Sequence, residues 1–195
     1  MLNRVIILIY GIYKNIRDAA WQCLIDYNIA ALPVDLLHIA KTAGIKVVKN
    51  SEVLVLSGSE SGACIFDGVK WFIIYDDEAT VGRRRFTIAH ELGHIFLGHE
   101  LVSGRHGRTI NTEKPQSESE ADSFAARLLA PACVLWGLNL QTTEEIAKLC
   151  NISMAAAKIR AERMKVLYER QKFLTSPLER RAFEQFRSYI ETVRI

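Results

Sequence analysis

His90, Glu91 and His94 are the residues whose types and spacing announce chemistry in this chain. They form His-Glu-x-x-His within Arg85-Phe86-Thr87-Ile88-Ala89-His90-Glu91-Leu92-Gly93-His94. On a helix, residues four apart share a face. Two imidazole nitrogens therefore reach the same point in space, where a zinc ion can accept both, and Glu91 is placed to hold and deprotonate a water at the metal rather than to bind the metal. With five histidines in 195 residues, a chance match to this pattern is expected in only ~0.01 of such chains.

A catalytic zinc usually takes three protein ligands and leaves a position for water. The metzincin solution, a third histidine, requires Gly at 97 and His at 100. This chain has Leu97 and Glu100, with Gly98 and His99 one place off. The other common solution is a glutamate on a following helix, and residues 118–130, ending at Pro131, read as such a helix. Glu118 and Asp122 share one of its faces. If Glu118 binds the metal, Asp122 lies about one turn along, where it can accept the free ring N–H of a ligand histidine. Ala121 and Ala125 beside that face let two helices approach closely. Glu120 is the rival ligand and points about 160° away from Glu118, so only one of the two can face the metal. Glu118 is favoured because only it has an acidic partner one turn on.

The paired stretches, 85–94 and Glu118-x-Glu-Ala-Asp-x-Phe-Ala-Ala-x-Leu-Leu-x-Pro131, resemble the ImmA/IrrE family of metallopeptidases. The resemblance spans roughly residues 12–165. It implies an α+β fold: a mostly helical zincin-like peptidase core with a small, mainly antiparallel β-sheet and a C-terminal helical extension. It also implies a zinc endopeptidase with His90, His94 and Glu118 as ligands and Glu91 as catalytic base. The implied substrate is a helix-turn-helix repressor of a phage, mobile element or stress response. Ala130 departs from the family, which usually has methionine there.

The elements that position these residues follow from periodicity. Residues 14–28 have helical spacing through Ile16, Ala20, Leu24 and Tyr27. A second helix starts from Pro33 and ends at Gly44, and Ile45–Val48 turns to strand period. Residues 57–62 read as a polar loop. Residues 63–66 and 70–75 flank Asp67-Gly68, a hairpin signal. Its second strand, with Trp71, Ile73 and Tyr75, is the candidate edge against which an extended substrate adds. Arg83-Arg84-Arg85 reads as a solvated run. Residues 100–116 read as a long polar connection, in which His106 is a candidate oxyanion donor.

Beyond Pro131, Thr143–Arg160 looks like a helix-turn-helix with Asn151 at the turn and Ser153 capping its second helix. A division follows into a peptidase domain, 1–141, and a helical unit, 142–195. Residues 143–195 carry net +4 against −1 for the rest. DNA binding is admissible, but Arg160, Arg163 and Lys165 interleave with Glu162 and no aromatic platform is present. Pro177–Ile195 reads as one last amphipathic helix.

Composition, 49% hydrophobic and 24% charged, is that of an ordinary soluble protein with a full core. Cysteines at 23, 64, 133 and 150 show no short spacing, which fits buried thiols in a reducing cytoplasm. The apolar start, Met1–Tyr13, is far short of the ~20 residues of a membrane span. Lys14, Arg17 and Asp18 stand where a signal-peptide cleavage site would need small residues. No membrane partner is expected. The competing functional reading is a regulatory protein- or DNA-binding module that retains the zinc site; hydrolysis of a small amide on the same site is the alternative enzyme.

Overall fold

The computed structural model describes residues 9–11, 15–100, 105–107 and 115–194, with backbone alone for 105–107. Helix α1, Ile16–Asp26, begins where the Asn15 side chain accepts the Arg17 N–H, and it buries Ala19, Ala20, Trp21, Cys23 and Leu24. Helix α2, Leu36–Thr42, is capped by Asp35, whose side chain accepts from the His38 N–H. Pro33 thus precedes the cap instead of occupying the first turn. Strand β1, Lys46–Lys49, runs into a one-turn helix α3, Asn50–Val53.

Strands β2, Gly62–Phe66, and β3, Trp71–Tyr75, form the expected hairpin. The last pair is Phe66 with Trp71, and the Asp67 carboxylate ties the loop between them by accepting from the Val69 and Lys70 N–H groups. The chain then enters helix α4, Val81–Leu97. Strand β4, Arg105–Gly107, lies within the segment read as a long polar connection. Helices α5, Gln116–Leu129, α6, Ala132–Gly137, α7, Thr143–Cys150, α8, Met154–Glu169, α9, Pro177–Gln185, and α10, Arg187–Val193, complete the order. The result is an α+β fold dominated by helix.

The sheet order is β1-β3-β2-β4, with β1 parallel to β3 and the other ladders antiparallel. This corrects one expectation. Strand β3 is paired on both sides, so Trp71, Ile73 and Tyr75 offer no free main-chain edge, because β1 has already taken the hydrogen-bonding groups a substrate would need. Among the described residues the edges belong to β1 and β4.

Every residue of α4 from Thr87 to Leu97 is buried, so this part of the helix has no solvent face and sits at the centre of the molecule, while Val81 and Arg83 at its start are exposed. Its close neighbour is α5, where Ala121, Ala125, Phe124 and Leu128 are fully buried. Gly93 lies against the Ala121 backbone, the close approach that the small residues anticipate. Phe96 stacks on Tyr27 of the α1 terminus at 5.5 Å between ring centroids. Such fully buried side chains each contribute about 1.5–3 kcal/mol.

Ile146, Cys150, Ala157, Met164, Ala182 and Phe186 belong to the same hydrophobic cluster as Trp21, Phe96 and Leu128. The C-terminal helix is broken in two at Phe186, whose ring is fully buried. Beside the break, Gln185 donates to the Leu24 and Ile29 carbonyls, and Tyr189 donates to that of Leu32. Anchoring to three carbonyls around α1 requires a change of direction that one straight amphipathic helix cannot make. The Arg83–Arg85 run is not wholly solvated either: Arg85 is half-buried and donates to the Val34 carbonyl at 2.8 Å. All four cysteines are buried. No helix among the described residues is long and apolar enough to cross a membrane. The apolar start falls mostly outside the described residues.

Candidate metal centre

A helical stretch with no solvent face that nonetheless buries two histidines and a glutamate incurs a desolvation cost that needs compensation. His90, Glu91 and His94 are 0%, 1% and 1% exposed. Compensation comes from α5. In its first turn, Glu118 reaches both rings, with Oε2 3.3 Å from His90 Nε2 and Oε1 3.1 Å from His94 Nε2, while the two Nε2 atoms stand 2.9 Å apart. Burial opposes ionisation of Glu118, yet hydrogen bonds and charge from His90 and His94 outweigh it and hold the carboxyl well below the usual carboxylate range.

These three residues form a cluster whose ligand atoms all lie within 4.8 Å of one another, able to hold a metal ion. The donor set, two imidazole nitrogens and a carboxylate, is one that divalent zinc accepts; bonds of about 2.0–2.1 Å to a tetrahedral ion put ligand atoms about 3.3 Å apart, close to the spacing found. The residues fit the group.

The outer nitrogens of both rings are held as well. His90 Nδ1 lies 2.7 Å from Asp122 Oδ1. A carboxylate accepts, so the N–H sits on Nδ1 and the lone pair of Nε2 faces the cluster. His94 is held differently. Its Nδ1 lies 2.9 Å from His99 Nδ1, and His99 Nε2 lies 3.1 Å from Glu120 Oε2. One arrangement of protons satisfies this chain: His99 donates from Nε2 to Glu120, accepts at Nδ1 from the His94 N–H, and so leaves His94 Nε2 free of hydrogen. Glu120, the rival ligand, therefore stands two bonds back from the cluster, where Gln116 donates to its other oxygen at 2.6 Å.

His99 is the residue that sequence reasoning passed over, having tested it only as a misplaced metzincin ligand. The signal was Gly98. It ends α4 with φ +72°, a left-handed conformation that favours glycine, and the chain folds back so that the His99 N–H bonds to the His94 carbonyl at 3.1 Å. Turning back brings the His99 ring onto His94.

Glu91 follows His90 on the buried helix, and β2 reaches it at Gly62. A Cβ at Gly62 would stand 2.2 Å from Thr87 Cγ2 and 3.4 Å from Glu91 Oε1, so only glycine lets the strand pass this close. The backbone of His106 lies in β4 opposite Cys64, one strand out from β2; the expected oxyanion role concerns a side chain outside the described residues. Trp71, Ile73 and Tyr75 lie in β3, one of the two interior strands of the sheet.

Helices α7 and α8 are joined by a short turn. Thr142 and Glu145 form a capping box on α7, Asn151 turns the chain at φ 52°, and Ser153 accepts from the Ala156 N–H to start α8.

No curated protein matches the chain. The model of the IrrE N-terminal-like domain matches residues 40–162, a stretch that runs from the end of α2 into α8 and holds all three residues of the cluster together with Glu91. On that match over more than half its length, the chain belongs to the IrrE N-terminal-like family of peptidases.

Proposed function

We propose that the chain is a zinc-dependent endopeptidase that cuts a helix-turn-helix repressor at one site. The observation that carries the reading is the convergence of His90, His94 and Glu118 from two packed helices, with Glu91 adjacent in a buried setting. Zinc bound there supplies Lewis acidity, which makes water a better acid and polarises a scissile carbonyl. His90, His94 and Glu118 hold the ion, while Asp122 and the His99–Glu120 pair fix the two rings. Glu91 accepts the proton of the attacking water and delivers it to the nitrogen of the leaving amine. Extended substrate adds to the outer side of β4, the edge one strand away from Gly62 and Glu91. The repressor as substrate rests on the resemblance to the ImmA/IrrE peptidases.

The test is incubation of the zinc-loaded protein with candidate helix-turn-helix repressors, followed by mass spectrometry. A single cut is expected, abolished by a chelator and restored by zinc. Failure to cut any peptide after zinc is restored would refute the peptidase; indiscriminate cutting of unrelated proteins would refute the narrow substrate.

The His99 relay makes a separate prediction. His99→Ala leaves the His94 N–H without its partner, so zinc affinity, read by competition with a chromophoric chelator, should fall about 10–100-fold, the usual cost of losing a partner behind a ligand. Glu120→Gln should lower it less, since an amide oxygen still accepts from His99 Nε2. Unchanged affinity in both would remove the relay from the site.

A further inference from the structure

Asp122 also lines a cavity of about 350 Å³ that α5 and α8 border. Leu129, Ile152 and Leu167 give it an apolar floor. Four arginines line it: Arg17 from α1, Arg127 from α5, and Arg160 and Arg163 from α8. Among the described residues the one carboxylate in its wall is Asp122, already engaged with His90.

The arginines are poorly compensated. Arg17 pairs with Asp18 at 3.3 Å and lies over Trp21, and Arg127 donates to the Ser123 carbonyl. Among the described residues, no carboxylate pairs with Arg127, Arg160 or Arg163, and the Arg160 Nε is buried without a hydrogen-bond partner. Burial and the neighbouring guanidinium of Arg127 press on Arg160, holding it down to about 10. A guanidinium remains charged at neutral pH all the same. Like charges gathered over an apolar floor cost stability in the empty cavity, and an anion with an apolar body relieves that cost.

We propose that this cavity binds a small organic phosphate, its phosphate held by Arg127, Arg160 and Arg163 and its apolar portion laid on Leu129, Ile152 and Leu167. A phosphate monoester answers the charge better than a carboxylate: it brings close to two negative charges and three strong acceptor oxygens, which match guanidinium forks. The volume lies at the small end of ligand sites, the size of a phosphate with one ring system. Nucleic acid fits less well, because these cations converge on a cavity instead of lying along a groove. The ligand would sit one side chain from His90, yet its binding does not depend on the peptidase reading.

The probe is 1-naphthyl phosphate, titrated calorimetrically into the full-length protein with and without zinc. Saturable one-to-one binding is expected in both states, about tenfold or more tighter than inorganic phosphate or 1-naphthol alone, with a rise in the thermal midpoint. Arg163 is solvent-exposed on its helix, so Arg163→Gln should fold normally and weaken binding about tenfold, the cost of a charged hydrogen-bond partner; Arg160→Gln should weaken it at least as much. Absence of saturation at millimolar probe overturns the proposal. So do equal affinity in the Arg163→Gln variant, binding seen only with zinc present, and displacement of the probe by duplex DNA.

Discussion

Glu91→Gln should retain the fold and one equivalent of zinc while losing ~10²–10⁴-fold in peptide hydrolysis, the range by which general-base catalysis typically contributes. Glutamine has the shape of glutamate, and the site is 1% exposed, so the substitution opens no cavity and leaves a hydrogen bond to water intact. What it removes is the capacity to accept a proton. Metal content, thermal midpoint and turnover on the same preparation separate these effects. Wild-type turnover in this variant would end the role assigned to Glu91.

The metal itself discriminates between the two glutamates of α5. Glu118→Ala deletes the only carboxylate among the described residues that reaches both His90 Nε2 and His94 Nε2, and should lower zinc affinity by well over the ~10–100-fold expected for a residue that acts through another. After dialysis, its bound metal should be close to nil. Glu120→Ala should keep the metal under the same conditions, because its carboxylate meets His99 and Gln116 and not the cluster. The opposite pattern would make Glu120 the ligand. Full metal in His90→Ala, His94→Ala and Glu118→Ala alike would dissolve the centre altogether.

Local signals carried much of this structure. The period of four brought His90 and His94 together, the pairing of Glu118 with Asp122 anticipated which face of α5 meets α4, and Ala121 anticipated how closely. Each is a relation within one helix turn, where geometry is fixed by the backbone. Relations between distant segments were not legible. The parallel partner of β3 is β1, more than twenty residues upstream, and a hairpin signal says nothing about what pairs with the hairpin's other side. Strand β4 has three residues, too few for a period to register. Arg85 and Arg160 look like ordinary surface cations in sequence; only the packing of α4 and α8 turns one onto the Val34 carbonyl and the other toward a cavity. The C-terminal helices likewise supply core residues, so cutting the chain after Thr142 would remove part of the core and would not isolate a docking module.

The four buried thiols bear on the metal centre as well. Sulfur competes strongly for zinc against two imidazoles and a carboxylate, and only the thiolate binds. In the folded chain Cys23, Cys64, Cys133 and Cys150 are inaccessible, and burial pushes the Cys133 and Cys150 thiols up to about 12, where they keep their protons. The hydrophobic core therefore sets the thiols apart from the His90, His94 and Glu118 cluster: it keeps Cys133 and Cys150 protonated and all four sulfurs out of reach of an ion that the folded chain meets.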